Sequence, residues 1–203
     1  MWSWLSRPHA DERRRSCLLV GCSDAPRRLP GEPAAGWTSV MRVASHGNVV
    51  PPHGAAPQPI ATIIAHAVEH RGVQDIIVCG HGGCEAMRGL LLPSDLAPSE
   101  AHRAWSAHAA GTRALLRAHY MHLDGEALWD VAVQEHVLLQ LEHLLTHPVV
   151  REAVDEGRVR IHGWLHDERR QTLLAYDPTL EQFEPLTTPL PPRPTQRGGL
   201  HRD

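Results

Sequence analysis

Short apolar runs alternate along this chain with stretches in which apolar residues recur at helical spacing. The runs at residues 17–20 and 75–79 are continuous, which is typical of strands buried on both faces of a parallel sheet. A further strand is expected over residues 38–43. The helical pattern predicts four long segments and a short helix that begins at Pro148; the long segments are residues 60–68, 84–92, 99–120 and 126–145.

The order of these elements predicts an α/β fold with a mostly parallel central sheet flanked by helices. Near the end of the chain, residues 159–165 and 172–176 form a strand pair joined by a charged turn at 167–170. We expect a short amino-terminal arm over residues 1–15, one domain over 16–187, and a Pro/Gly-rich tail over 188–203 that is predicted to be disordered.

Composition narrows the classes of function. The chain has 203 residues, a formal net charge of -3, and 20 basic residues that are all arginine, so lysine chemistry is excluded. The acidic balance argues against electrostatic binding to nucleic acid or an anionic membrane. The sequence contains no apolar run of membrane-spanning length and no secretory signal pattern, so we expect a cytoplasmic protein with reduced cysteines.

Two short motifs that could hold a metal follow two of the predicted strands. Cys22 and Asp24 come after the first strand, and His81 and Cys84 come after the third. Ligand sites in open α/β sheets lie at the carboxyl ends of the strands, so we expect these four side chains to meet. Two thiolates with an imidazole suit Zn²⁺. The alternative is that the two cysteines are buried core residues and the histidine only caps a helix.

The two remaining cysteines lie within apolar strands. We interpret Cys17 and Cys79 as core residues, since a buried cysteine behaves as a small hydrophobic side chain.

Across residues 16–187 the sequence resembles the β-class carbonic anhydrase family. The family's Gly-His-x-x-Cys motif is matched fully by Gly80, His81 and Cys84. Further similar segments follow in the family's order; they are residues 47–52, 61–70, 135–138, 140–142, 146–148, 161–164 and 174–178.

The resemblance implies a zinc enzyme that converts CO2 reversibly to bicarbonate and a proton, through attack by zinc-bound hydroxide. It implies Cys22, His81 and Cys84 as zinc ligands, with Asp24 either the fourth ligand or the hydrogen-bond acceptor beside a bound water. It also implies a homodimer or a larger homo-oligomer, and no nucleic-acid or membrane partner.

One departure from the family pattern bears on activity. The family reads Cys-x-Asp-x-Arg, whereas Pro26 stands here in the place of the arginine that holds the aspartate away from the metal. Without that arginine, Asp24 is expected to coordinate the zinc and close the site. Arg27 or Arg28 could replace it, and Arg42 resembles another family arginine near the site.

Three functions therefore remain open at this stage. The first is carbonic anhydrase activity. The second is a catalytically impaired, zinc-bound homologue that binds bicarbonate or a partner. The third is a hydrolase of a CO2 analogue such as carbonyl sulfide or carbon disulfide, on the ground that the lost arginine could mark a reshaped pocket.

Overall fold

The computed structural model of this chain describes residues 15–25, 29, 37–55, 59–92 and 99–186. Most of the expected amino-terminal arm and the whole expected tail lie outside these residues. So does the segment from Pro26 to Arg28, which contains the proline substitution and the two candidate replacement arginines.

The described strands form one six-stranded sheet in the order β2-β1-β3-β4-β5-β6. The strands are β1 (Arg15–Cys22), β2 (Trp37–Ser45), β3 (Asp75–His81), β4 (Arg160–Asp167), β5 (Thr172–Asp177) and β6 (Gln182–Pro185). Strands β1 to β4 run parallel, whereas β5 and β6 pair antiparallel with their neighbours. The predicted mostly parallel sheet is confirmed, and β6 was not predicted.

The helices also follow the predicted order, with one correction. They are α1 (Pro59–Glu69), α2 (Glu85–Leu91), α3 (Glu100–His108), α4 (Ala110–His119), α5 (Gly125–Thr146) and α6 (Pro148–Asp155). The single helix predicted over residues 99–120 is wrong, because Ala109 leaves helical geometry with φ -100° and ψ 10°. The break lets α4 lie against α5, where a Cβ on Gly111 would come within 2.9 Å of Leu139.

Alternate residues of the central strands point to two different apolar layers. Leu18 and Val20 of β1 belong to the larger layer, which includes residues of α1, α2, α5 and α6. Cys17 and Cys79 belong to the smaller layer on the other face, together with the fully buried Trp164. Both cysteines are therefore core residues, as predicted.

Helix α5 lies unusually close to β3. A Cβ built on Gly80 would come within 2.8 Å of Val137 and 2.9 Å of Val133, so only glycine fits between the helix and the strand. This contact fixes the position of Gly80, which immediately precedes His81 at the end of β3. Among the described residues, no helix combines the length and apolar character needed to cross a membrane.

Candidate metal centre

The four predicted ligands meet at the carboxyl ends of two neighbouring strands. Cys22 is the last residue of β1 and His81 the last residue of β3, and these strands pair in parallel. Asp24 lies in the turn after β1, and Cys84 immediately precedes α2. One potential ligand atom from each residue lies within 4.8 Å of the others.

The spacing of the two sulfurs matches a tetrahedral metal site. The Sγ atoms of Cys22 and Cys84 are 3.8 Å apart. Two thiolates bound to one zinc at the usual Zn–S length would be separated by about 3.8 Å if the coordination is tetrahedral. Oδ1 of Asp24 faces the same point, in contact with Cys22 Sγ and 3.4 Å from Nε2 of His81.

His81 presents one ring nitrogen to the cluster without a hydrogen-bond partner. Its Nε2 is buried, and it makes no hydrogen bond to any described residue. On the other side of the ring, Nδ1 lies 2.9 Å from Oε1 of Glu168 and 3.1 Å from the carbonyl oxygen of Gly82. A buried nitrogen without a donor or acceptor is costly, and a metal ion would satisfy it. The donor set of two sulfurs, one imidazole nitrogen and one carboxylate oxygen fits zinc.

Without a metal, contacts within the cluster shift the pKa values of the four side chains in different directions. A hydrogen bond with Cys84 lowers the pKa of Cys22 to about 5, against the opposing effect of burial. The same contact raises the pKa of Cys84, because losing its proton would bring two thiolates together. Burial alone would lower the pKa of His81, but attraction to the Cys22 thiolate and to Glu168 raises it to about 9. Burial would raise the pKa of Asp24, but its hydrogen bond with Cys22 helps to lower it. The cluster therefore holds anionic groups that can bind a cation.

Backbone groups and distant side chains support the two cysteines. The amide of Gly47 donates to Cys22 Sγ at 3.1 Å, and His136 Nε2 lies 2.9 Å from the Gly47 carbonyl oxygen. The indole of Trp129 donates to the carbonyl oxygen of Cys84 at 2.9 Å. The roles of Gly47, His136 and Trp129 were not predicted, because nothing in the local sequence points to a contact with the cluster.

Gly47 is itself required by the geometry of this support. Its φ of +66° is left-handed, and a Cβ there would come within 2.8 Å of the Trp105 ring. The amide can therefore approach Cys22 only because residue 47 lacks a side chain.

The candidate arginines do not join the cluster among the described residues. Arg27 lies outside them, so its predicted role stays a prediction. Arg42 lies three residues before the end of β2 and pairs with Leu19, which belongs to the smaller apolar layer. Cys22 belongs to the larger layer on the other face. The sheet thus places Arg42 on the side away from Cys22, and its catalytic role also stays a prediction.

A family model described as carbonic anhydrase matches residues 17–172, which include all four candidate ligands. This chain belongs to the β-carbonic anhydrase family. The sequence is 36% identical to a carbonic anhydrase of Synechocystis over 169 residues, which are 82% of this chain and 61% of that protein. It is 32% identical to a carbonic anhydrase of Pseudomonas aeruginosa over 191 residues, covering 91% of this chain and 83% of that protein.

The solved structures of β-carbonic anhydrases share this fold. The structure of the β-carbonic anhydrase CcaA superposes with a TM-score of 0.78 at 33% identity, covering 85% of this chain and 84% of that one. Tetrameric β-carbonic anhydrases of Sordaria macrospora superpose with a TM-score of 0.68 over 81% of each chain, and at 23% identity this likeness concerns the fold alone.

Proposed function

We propose that this chain catalyses the reversible hydration of CO2 to bicarbonate and a proton, with one zinc ion held by Cys22, His81, Cys84 and, in its closed form, Asp24. The convergence of the four ligand atoms within 4.8 Å carries this proposal. Family membership supports it independently. Among the residues that the structure describes, this cluster is the one group of Cys, His, Asp and Glu side chains that could hold a metal ion.

Zinc in such a site would act as a Lewis acid and lower the pKa of a water ligand towards about 7. The protein's own groups hold and orient the side chains that would bind the zinc. Gly47 N–H stabilises the Cys22 thiolate, and Trp129 fixes the backbone of Cys84. His81 is aligned by its Nδ1 contacts so that Nε2 points into the cluster. With these ligands fixed, binding requires little rearrangement of the protein.

Asp24 determines whether the site is open or closed. Its Oδ2 accepts a hydrogen bond from the Glu85 amide at 3.2 Å, in the first turn of α2, while Oδ1 is directed towards the cluster. The amide therefore restrains one oxygen and leaves the other available to bind metal. This orientation favours a second candidate function, that of a zinc-bound module in which Asp24 excludes water and the protein binds bicarbonate or a partner.

Stopped-flow CO2 hydration across pH 6–9 tests the first proposal. The protein is used with one zinc per chain, verified by elemental analysis. We expect rates that rise with pH above the buffer rate, since a water ligand loses its proton more readily as pH increases. Buffer-level rates at every pH would overturn the proposal.

Two cysteine variants provide a matched comparison. Cys84→Ser removes a ligand and should abolish both stoichiometric zinc and activity. Cys79→Ala removes a buried cysteine from the opposite apolar layer and should leave zinc content unchanged. Equal zinc content in Cys84→Ser and the unmodified chain would contradict the assigned ligands.

The second candidate is tested with Pro26→Arg, which restores the family's motif. If Asp24 closes the site because that arginine is missing, the variant gains activity while zinc content stays the same. An unmodified chain that is already fully active, or a variant that gains nothing, would count against the closed-site interpretation.

We also propose that the protein forms a homodimer or a larger homo-oligomer in the cytoplasm. Tetrameric forms among related folds support the oligomer, and four cysteines without a disulfide fit a reducing compartment. Light scattering coupled to size-exclusion chromatography tests the assembly, and a mass equal to one chain would refute it.

A further inference from the structure

We propose that Glu168 is a positioning residue for the metal centre, which fixes the ring of His81 so that Nδ1 carries the proton and Nε2 is free to bind the metal. This inference rests on the zinc binding proposed above. It assigns a role to the turn between β4 and β5, which the sequence alone predicts only as a charged turn joining two strands.

The first step is the geometry of the imidazole. Oε1 of Glu168 lies 2.9 Å from Nδ1, whereas the buried Nε2 on the opposite side of the ring faces the ligand cluster. A carboxylate only accepts hydrogen bonds when ionised, so the proton of a neutral His81 must sit on Nδ1. Nε2 then offers its lone pair to the metal. Carboxylate–histidine–metal arrangements of this kind orient the ligand and raise its basicity.

The second step is burial. The side chain of His81 is 4% exposed, while that of Glu168 is 39% exposed. The carboxylate is thus solvated on one side, which limits the cost of its charge, and it contacts a ring that has almost no access to water. This differs from an exposed surface ion pair, in which both partners exchange freely with solvent.

The third step is that the turn itself is ordered so that Glu168 reaches the ring. Strands β3 and β4 pair His81 with His166, so the turn begins beside the metal ligand. Oδ1 of Asp167 accepts hydrogen bonds from the amides of Arg169 at 3.0 Å and Arg170 at 2.9 Å. The side-chain amide of Gln171 donates to the Glu168 carbonyl oxygen at 2.8 Å. The residues on both sides of Glu168 therefore restrain its backbone.

A second hydrogen-bond acceptor for Nδ1 of His81 limits how much zinc affinity is lost when Glu168 is removed. The carbonyl oxygen of Gly82 lies 3.1 Å from the same Nδ1 and remains when the carboxylate is removed. Loss of Glu168 should therefore weaken metal binding rather than abolish it. Removing such a partner typically costs about 10- to 100-fold in metal affinity.

The test measures zinc affinity at pH 7.5 by competition with a chromophoric chelator. Glu168→Ala should bind zinc about 10- to 100-fold more weakly than the unmodified chain. Glu168→Gln should fall between the two, because its amide oxygen still accepts the Nδ1 proton but lacks the charge. Glu152→Ala, which removes an exposed glutamate from α6, is the matched control and should bind normally. Circular dichroism verifies folding, and Glu168→Gln decides the matter if the alanine variant does not fold.

A double-mutant comparison separates positioning of His81 from a general effect on the fold. His81→Cys replaces the imidazole with a thiolate that needs no orientation by Glu168. In that background, Glu168→Ala should leave zinc affinity unchanged. An equal loss of affinity in both backgrounds would assign Glu168 a merely structural role and overturn the inference.

The inference and the proposed function fail in different ways. If the unmodified chain does not bind one zinc, both fail. If the unmodified chain binds zinc, and Glu168→Ala and Glu168→Gln both bind it as tightly as the unmodified chain does, only the role of Glu168 is refuted.

Discussion

Acidification should destabilise this protein in part through His136 of α5, a buried histidine whose pKa is lowered by burial. The side chain is fully buried. Nε2 lies 2.9 Å from the carbonyl oxygen of Gly47, which can only accept, so Nε2 carries the proton of the neutral ring. Nδ1 lies 2.8 Å from Oγ1 of Thr112, and the hydroxyl then donates to it. The neutral ring is thus satisfied at both nitrogens, and protonating it would place a charge in the core.

The size of the effect follows from the difference in pKa between the folded and unfolded chain. Burial lowers the pKa of His136 from 6.5 to about 4, with a smaller contribution in the same direction from His143. Above pH 6.5 the ring is neutral in both states and the contribution is fully present. As the pH falls towards about 4, only the unfolded chain binds the proton, and stability is lost. At 1.36 kcal/mol per pKa unit, the total loss is about 3 kcal/mol.

Urea denaturation from pH 7.5 to 4.5, with saturating zinc, measures this loss. His136→Gln is the comparison variant, because its amide can still donate to Gly47 but does not titrate. It should be less stable than the unmodified chain at pH 7.5, and its disadvantage should shrink by about 1.4 kcal/mol per pH unit below pH 6. Titration of the candidate ligands is expected in both proteins and largely cancels in the difference. Parallel loss of stability in the two proteins would refute the reasoning.

Three further predictions concern the framework that supports the site. Gly80→Ala should cost about 1–3 kcal/mol of unfolding free energy in urea, since its Cβ would collide with Val133 and Val137; an unchanged midpoint would contradict the close contact between α5 and β3. Asp75→Asn should cost about 3 kcal/mol by the same assay, because fully buried Asp75 accepts from Trp37, Arg160 and His162; a loss below 1 kcal/mol would contradict the importance of its charge. Cys79 should resist iodoacetamide in the native protein, because burial raises its pKa to about 12, and mass spectrometry showing its early modification would refute this.

The meeting of the four candidate ligands could be predicted from the sequence because their arrangement depends on a simple rule of the fold. Apolar runs located β1 and β3, and parallel strands end at the same edge of a sheet. Cys22 and His81 had to lie near that edge once both strands were placed. The spacing of Asp24 and Cys84 from the strand ends then brought them to the same point.

The parts that sequence reasoning missed depend on contacts between distant segments. Glu168 is 87 residues from His81, and His136 is 89 residues from Gly47. A local periodicity or motif cannot predict such pairs. The register of β3 with β4 brings Glu168 to His81, and the packing of α5 brings His136 to Gly47. The break at Ala109 was missed for a different reason: the segment contains no proline, and its apolar spacing continues through the break.

The net charge of the cluster bears on whether Asp24 or water takes the fourth ligand position, and so on activity. If a divalent cation binds here, two thiolates and the Asp24 carboxylate would leave one net negative charge in a mostly buried cluster. A water ligand in place of Asp24 would leave none. Burying the extra charge is costly unless hydrogen bonds compensate it. Here Asp24 is 34% exposed and its Oδ2 accepts from the Glu85 amide, so part of that cost is already offset. The same amide would retain the carboxylate if Oδ1 left the metal. The Glu85 amide would thus hold Asp24 in either position, and the pH–rate profile measures which position prevails.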